Sequence, residues 1–195
     1  MDYQTQTIEA YLEQTASETV LPAGGTAAAI TGAIGASLVE MTAIHTISAD
    51  GSEKVLPELT KARTSVEADR QRLLDLANAD ARIVDESFGG SDPITAETWE
   101  TMTGVPLSIA EVGAGIMEDS IPVFERGNPN AIPDGVTGIM LLRTAIRATL
   151  ETARRNLAHI DDPEVLDRLR TRLEGTRDAT ETSYRTITRI VDIRE

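Results

Sequence analysis

The chain of 195 residues contains no cysteine, only two histidines and very few aromatic residues. The missing cysteines exclude disulfide bonds and thiolate metal sites, and two histidines argue against a histidine-based metal centre. Aromatic residues make up 3% of the chain, whereas hydrophobic residues as a whole make up 41%. Alanine, leucine, isoleucine and valine must therefore form the core, which favours closely packed helices over a β-sandwich.

Lysine is also scarce, since Lys54 and Lys61 are the only two and all other basic residues are arginines. The 32 acidic residues give a formal net charge of −14. This charge argues against a nucleic-acid partner, because binding to phosphates depends on Lys and Arg. An acidic, lysine-poor surface is expected of a protein that works at high salt, where screening relieves self-repulsion. A dedicated cationic partner is the alternative explanation.

Residues 21–41 begin as a Pro/Gly turn and continue as a helix of very small residues. Gly24 and Gly25 lack a Cβ, so their N–H groups are predicted to turn toward a ligand. Thr26 is predicted to cap the helix, whose positive dipole end would then face the loop. The stretch therefore predicts a site for an anionic or carbonyl group. The alternative is a capped core helix that follows a glycine turn, since short motifs often match by accident.

A row of small residues continues along this helix, with Ala28, Gly32 and Ala36 at every fourth position. The row predicts close approach of another helix. The larger side chains are apolar on nearly all sides, which predicts a buried helix. These side chains are Ile30, Ile34, Leu38, Val39, Met41, Ile44 and Ile47.

A membrane-spanning or exported protein is not expected from the first 40 residues. One proline and four glycines interrupt the uncharged stretch of residues 19–39, which argues against a transmembrane helix. The first residues lack the basic and apolar regions of a signal peptide. We therefore expect a cytoplasmic protein without a membrane partner.

The remaining pattern predicts an all-α, single-domain bundle of about six helices over residues 1–195. Apolar residues recur at helical spacing, and no stretch alternates like a strand. Besides the helix from residue 26 to 48, the segments are about 4–17, 57–88, 95–124, 135–160 and 163 to the end. Thr95 and Asp162 are predicted N-caps. Pro106 is expected to break the fourth helix and Pro122 to kink it.

Two acidic residues fall on the apolar stripe of the third helix. The carboxylates of Asp69 and Asp80 lie either at the edge of the stripe, in water, or in a cleft where desolvation raises the pKa. A second loop, residues 126–135, contains Asn128, Asn130 and Asp134, whose side chains can fix a turn.

Arg143, Arg147 and Arg154 lie together on one face of the helix that follows this loop. They could hold a polyanion, because guanidinium groups bind carboxylates and phosphates. Arg147 and Glu151 also have the spacing of an ordinary surface pair. The sequence leaves both interpretations open.

The order of these features resembles the cyclodeaminase/cyclohydrolase family, which comprises formiminotetrahydrofolate cyclodeaminase and the stand-alone methenyltetrahydrofolate cyclohydrolases. The family's short N-terminal helix and its Pro-Gly-Gly-Gly-Ser loop correspond to residues 8–12 and 22–26. Its middle-helix Asp corresponds to Asp80, and its Val-Pro-Leu element to residues 105–107. Its Gly-Asn-x-Asn-Ala-x-x-Asp loop corresponds to residues 127–134. These matches cover most of the chain in one order.

The chain departs from the family pattern at several positions. Ala23 replaces a glycine of the first loop, and Thr26 replaces a serine but keeps the hydroxyl. The family's Gly-Lys pair falls on residues 48–49, which are Ser and Ala, so His45 or Lys54 is the nearest cationic substitute. The arginine that often precedes the Val-Pro-Leu element is also absent.

The resemblance implies an enzyme that acts on a folate one-carbon unit. A cyclohydrolase adds water to the methenyl bridge carbon, whereas a cyclodeaminase closes the ring of 5-formiminotetrahydrofolate with loss of ammonia. Both reactions need a carboxylate that moves protons and has a pKa raised toward neutrality. Neither reaction requires a metal or a redox cofactor. The sequence does not separate the two reactions.

The resemblance also implies roles for individual residues. Asp80 is expected to be the general base or acid, and Asp134 is the second candidate. The residues expected to bind substrate are Gly24, Gly25, Thr26, His45, Lys54, Asn128, Asn130, Arg143 and Arg147. Among these, the arginines would steer the anionic glutamate tail and Asn128 would orient substrate or water. His45 lies on the helix of small residues, where a single histidine is more often a packed one.

A homodimer is implied by the resemblance, and the small-residue row could bury a helix of a partner subunit. The alternative to an enzyme is a diverged, inactive dimer that binds a folate-like small molecule or a partner helix. The absent lysine favours this alternative. The intact residues 24–26, Asp80 and residues 128–134 favour the enzyme.

Overall fold

A computed structural model describes residues 2–49, 57–89 and 93–194. The helices in these ranges are α1 (Ile8–Thr15), α2 (Gly24–Ala49), α3 (Pro57–Phe88), α4 (Ala96–Asp119), α5 (Ile121–Arg126), α6 (Ile132–Asn156) and α7 (Pro163–Arg194), with a 3₁₀ turn at Leu157–His159. No strand occurs in the described ranges, which confirms the all-α prediction.

Helix α2 lies at the centre of the bundle, between α3 and α6. Helix α4 packs against α3 and α6, and α7 closes the bundle against α4, α5 and α6. The core between these helices is aliphatic, as the scarcity of aromatic residues predicts. Its fully buried side chains include Val39, Leu73, Leu107, Leu142 and Ile187.

Gly35, which lies next to the small-residue row of α2, brings the backbones of α2 and α6 into contact. A Cβ on Gly35 would lie 2.6 Å from the carbonyl oxygen of Gly138, and a Cβ on Gly138 would lie 2.6 Å from that of Gly35. Gly32 faces the side chains of Leu73 and Ala145. The predicted close approach of a helix is therefore confirmed, but the helices that use the row are α3 and α6 of the same chain.

One face of α2 remains open, which corrects the expectation that the whole helix is buried. Ile34 is 53% exposed and Ile44 is 40% exposed, while Ile30, Leu38 and Met41 are half-buried along the same face. The reason is that α3 and α6 cover only two sides of α2. Of the described helices, α2 alone is long and apolar enough to cross a membrane, and half of its most apolar window is buried in the bundle.

Pro106 does not break α4, contrary to the prediction. A proline in a helix removes the hydrogen bond to the carbonyl four residues earlier, which here belongs to Met102. The side-chain amide of Asn156, at the end of α6, donates to this carbonyl at 2.7 Å. A tertiary contact thus supplies the hydrogen bond that the helix lacks, and α4 continues to Asp119.

Other helix ends agree with the sequence more closely. The Thr95 hydroxyl accepts a hydrogen bond from the Thr98 N–H (3.1 Å), and the Asp162 carboxylate accepts one from the Glu164 N–H (2.8 Å), so both predicted N-caps are confirmed. Near Pro122 a helix boundary replaces the expected kink, because α4 ends and α5 begins on either side of Ser120. Helix α1 is shorter than the predicted segment and holds no buried residue.

Candidate active site

Asp69 and Asp80 differ in burial and in the groups that their carboxylates contact. Asp69 is half-buried and pairs with Arg72 at 2.9 Å. Asp80 is only 4% exposed and faces the first turn of α2. The Thr26 hydroxyl donates to its Oδ2 at 2.8 Å, and the Thr26 backbone also hydrogen-bonds to this carboxylate. Asp80 therefore binds the positive end of the central helix.

Thr26 is not the N-cap of α2, because the helix already begins at Gly24. Its hydroxyl points to Asp80 instead of back to its own helix. The carboxylate of Asp80, from a neighbouring helix, satisfies groups at the helix start that a local cap would otherwise satisfy. The predicted anion site therefore exists in a different form, since the anion that it holds is part of the chain.

Gly25 is required by this contact. A Cβ at this position would lie 2.2 Å from the Asp80 Oδ1 atom, far inside van der Waals contact. At Gly24 a Cβ would meet no atom within 4 Å. The carboxylate therefore requires glycine at position 25, whereas position 24 has space for a side chain.

Burial raises the pKa of Asp80, and the hydrogen bonds from Thr26 oppose this rise. Desolvation disfavours the charged form, whereas donors aimed at the carboxylate favour it. A buried carboxylate with a raised pKa that is held in one orientation is the type of group that general acid–base catalysis uses.

Two tyrosines lie beside Asp80, and sequence reasoning gave them no part in the site. The rings of Tyr3 and Tyr11 meet edge to face, with centroids 5.6 Å apart. Tyr3 packs with Leu21 and with Ala81, the neighbour of Asp80. The only available signal was that two of the chain's three tyrosines fall within its first 11 residues.

The second loop packs against the other half of α2. The Asn128 N–H donates to the Thr46 hydroxyl at 2.8 Å, and the Asn128 Oδ1 accepts from the Asn130 N–H at 3.0 Å, which fixes the predicted turn. The Thr42 hydroxyl donates to the carbonyl of Ala131 at 3.2 Å. Asp134 is exposed in the first turn of α6, and His45 is exposed at the same end of α2.

The two loops therefore lie at opposite ends of α2. Twenty residues separate Thr26 from Thr46, which at 1.5 Å per residue is about 30 Å along the helix. One chain does not bring Asp80 together with Asn128, Asn130, Asp134 or His45. Lys54 lies outside the described residues.

Arg143 and Arg147 lie away from both Asp80 and the second loop, on the side of α6 that faces α7. Arg143 binds Glu181 through two nitrogens (closest distance 2.7 Å) and stacks on the ring of Tyr184. Arg147 lines the same groove, which has a volume of about 510 Å³. Because α2 contacts the opposite side of α6, this groove is separate from Asp80. Arg143 thus forms an ion pair within the chain, whereas Glu151, the predicted partner of Arg147, binds Arg154 and Arg155 instead.

Another groove, of about 650 Å³, lies between α3 and α4. Its lining includes Asp69, Arg72 and Glu111 but not Asp80. Neither of these two grooves is lined by the buried carboxylate of Asp80.

Comparisons with known proteins agree with the order of motifs. The family model for formiminotransferase-cyclodeaminase matches residues 7–89 and 91–175. A methenyltetrahydrofolate cyclohydrolase of Methylorubrum extorquens is 29% identical over 183 residues, which cover 87% of this chain and 88% of the relative. The crystal structure of formiminotetrahydrofolate cyclodeaminase from Thermotoga maritima has the same fold, with a TM-score of 0.89, 21% identity and coverage of 97% of each chain. The chain belongs to the formiminotransferase-cyclodeaminase family.

Proposed function

We propose that this protein is a cytoplasmic methenyltetrahydrofolate cyclohydrolase in which Asp80 moves the proton. Water attacks the bridge carbon between N5 and N10, and the Asp80 carboxylate accepts a proton from that water. The hydroxyl on the bridge carbon then loses its proton as the bond from this carbon to N5 breaks, N5 takes up one proton, and the carbon remains on N10 as a formyl group. The net reaction consumes one water and releases one proton. It needs neither a metal nor a redox cofactor.

One observation carries this proposal, namely the buried carboxylate of Asp80 against the first turn of α2. Burial raises its pKa, which makes the group a better proton acceptor at neutral pH. The Thr26 hydroxyl donates to the Oδ2 atom and so helps to hold the carboxylate in one orientation. The Methylorubrum relative, which is named a methenyltetrahydrofolate cyclohydrolase and is covered to 88% of its length, supports the cyclohydrolase over the cyclodeaminase.

We further propose that a homodimer completes the site. The open face of α2 carries the exposed side chains of Ile34 and Ile44, and this apolar surface suits a second copy. A two-fold axis beside the middle of the open face of α2, perpendicular to the helix, would set this helix antiparallel to its partner copy. The Asp80 end of one subunit would then lie beside the Asn128 loop of the other.

The first experiment follows the absorbance of 5,10-methenyltetrahydrofolate with purified protein in molar salt. We expect the protein to accelerate its decay above buffer, and Asp80→Asn to lose at least about 100-fold of this acceleration, as expected for removal of a general base. Asp69→Asn is the matched control, because it removes the other carboxylate on the apolar stripe of α3. It should retain the wild-type rate.

Three results would contradict this proposal. Conversion of 5-formiminotetrahydrofolate alone would identify a cyclodeaminase. Failure to convert either compound would favour the inactive folate-binding dimer. An active Asp80→Asn variant would remove Asp80 from the mechanism.

A mixing experiment tests the shared site. Asp80→Asn and Asn128→Ala subunits, each inactive alone, are unfolded together and refolded. In a mixed dimer one of the two sites would contain both native residues, so roughly a quarter of the wild-type activity should return. A mixture that stays inactive, although mixed dimers form, would locate the site within one chain.

A further inference from the structure

The side chains of Tyr3 and Tyr11 each end in a buried hydroxyl group without a hydrogen-bond partner. Tyr3 as a residue is only 7% exposed. The neighbouring Thr15 hydroxyl donates to the backbone carbonyl of Tyr11 at 2.8 Å, and Thr15 lowers the pKa of the Tyr11 phenol against the rise that burial causes. Buried polar groups in folded proteins almost always have a partner, so two adjacent exceptions require an explanation.

Both hydroxyls belong to the surroundings of Asp80. The Tyr3 N–H donates to the side chain of Asn78 at 3.0 Å, and the Tyr3 ring packs on Ala81, so Tyr3 is fixed on both sides of Asp80 along α3. Burial raises the pKa of both tyrosines, and the charge of Asp80 contributes to the rise in each case. The two phenols and the carboxylate therefore share one electrostatic environment.

The other side chains packed around the two rings are apolar. Leu21 and Ala81 are buried, and Ala23, Ile30 and Val84 pack against them. Apolar side chains suit the faces of a flat ring, while each phenol can both donate and accept a hydrogen bond. A planar heterocycle with polar atoms along one edge would match this combination of groups.

We infer that Tyr3 and Tyr11 are substrate-positioning residues, whose hydroxyls hydrogen-bond to the polar edge of the substrate's planar ring and hold it against Asp80. This inference rests on the proposed folate chemistry and extends it to the N-terminal segment. A purely packing role is the rival interpretation. The two differ in what the oxygen atoms do, because packing needs only the rings.

Tyrosine-to-phenylalanine variants separate these interpretations. Tyr3→Phe and Tyr11→Phe keep the rings and remove hydroxyls that have no partner in the free protein. We therefore expect the urea midpoint of unfolding to stay at or above the wild-type value. We expect kcat/KM for 5,10-methenyltetrahydrofolate to fall roughly tenfold per hydroxyl, mainly through KM, and the Kd of the stable analogue 5-formyltetrahydrofolate to rise by a similar factor.

Tyr184→Phe is the matched control, because Tyr184 is the third tyrosine and lies under Arg143 in the groove between α6 and α7. It should leave kcat/KM and analogue binding unchanged. Phenylalanine variants at positions 3 and 11 with wild-type kcat/KM and Kd would overturn this inference alone. Loss of activity in proportion to loss of stability would also overturn it, in favour of packing. A wild-type protein that neither binds the analogue nor turns over a folate would overturn the proposed function and this inference together.

Discussion

Gly25 and the Asp80 carboxylate share one small volume, whereas Gly24 has open space beside it. Gly25→Ala would push a methyl group into the carboxylate, so we expect a loss of about 1–3 kcal/mol in the free energy of unfolding and loss of the proposed activity. Gly24→Ala is the matched control and should fold at least as stably, since alanine is the better helix former. Urea unfolding and the absorbance assay measure both effects. Equal stability of the two variants would contradict the close contact.

Because burial raises the pKa of Asp80, the pH dependence of stability has a defined sign. The folded state binds this proton more tightly than the unfolded state, whose pKa is about 3.9. Between that value and the raised folded pKa, the contribution of Asp80 to stability should decrease as the pH rises, and then stay constant. We expect the free energy of unfolding of the wild type, relative to Asp80→Asn, to show this decrease in urea titrations. An increase would mean that the Thr26 hydrogen bonds outweigh burial.

Periodicity placed Asp69 and Asp80 on one stripe but did not distinguish them. The difference arises from partners that are distant in the chain, because Asp80 faces Gly25 whereas Asp69 pairs with Arg72. The family resemblance was enough to assign both the glycine loop and Asp80 to one expected site. The sequence could not assign the two tyrosines to it, because a hydroxyl without a hydrogen-bond partner can be recognised only in the structure.

At the scale of the helices, α4 depends on a hydrogen bond from α6. Asn156→Ala would leave the Met102 carbonyl without its donor, and we expect it to cost about 1–3 kcal/mol in the free energy of unfolding. In a Pro106→Ala background, the new backbone N–H can bond to this carbonyl, so the same change should cost about 1 kcal/mol less. Urea unfolding of the four proteins of this double-mutant cycle measures the difference. Strict additivity would show that the two residues do not share the carbonyl.

Hydrophobic periodicity predicted α3 at residues 57–88 correctly because its polar and apolar faces are distinct. It failed for α2, which is apolar all round, so that the covered and open faces have the same composition. It also failed at Pro106, where a side chain from another helix decides the outcome. The local sequence pattern thus predicted which segments are helical. Tertiary contacts determine which face of α2 is buried and whether α4 is interrupted at Pro106.

For the molecule as a whole, the net charge of −14 implies that acidic groups repel one another in the folded state. Of the contributions to the free energy of unfolding, we expect salt to change this repulsion most. The screening length falls from about 10 Å at 0.1 M salt to about 3 Å at 1 M. We expect the melting temperature to rise by roughly 5 °C or more over this range, which corresponds to about 1–2 kcal/mol. Thermal unfolding in sodium chloride measures the rise.

A charge variant provides the control for this prediction. Glu13, Asp167 and Glu174 are exposed, and replacing each by lysine raises the net charge by two units. The triple variant should gain less from salt than the wild type does. An equal gain would attribute the effect to salting-out of apolar surface and not to screening of charge.

The position of the two loops at opposite ends of α2 restricts how this chain can change in evolution. Insertion of one residue between Gly25 and Thr46 would lengthen the helix by about 1.5 Å and rotate one end by about 100° against the other. The first loop would then lose its alignment with Asp80, or the second its alignment with Thr46. Relatives that keep both loops are therefore expected to keep the same number of residues between them, even where most side chains of the helix have been replaced.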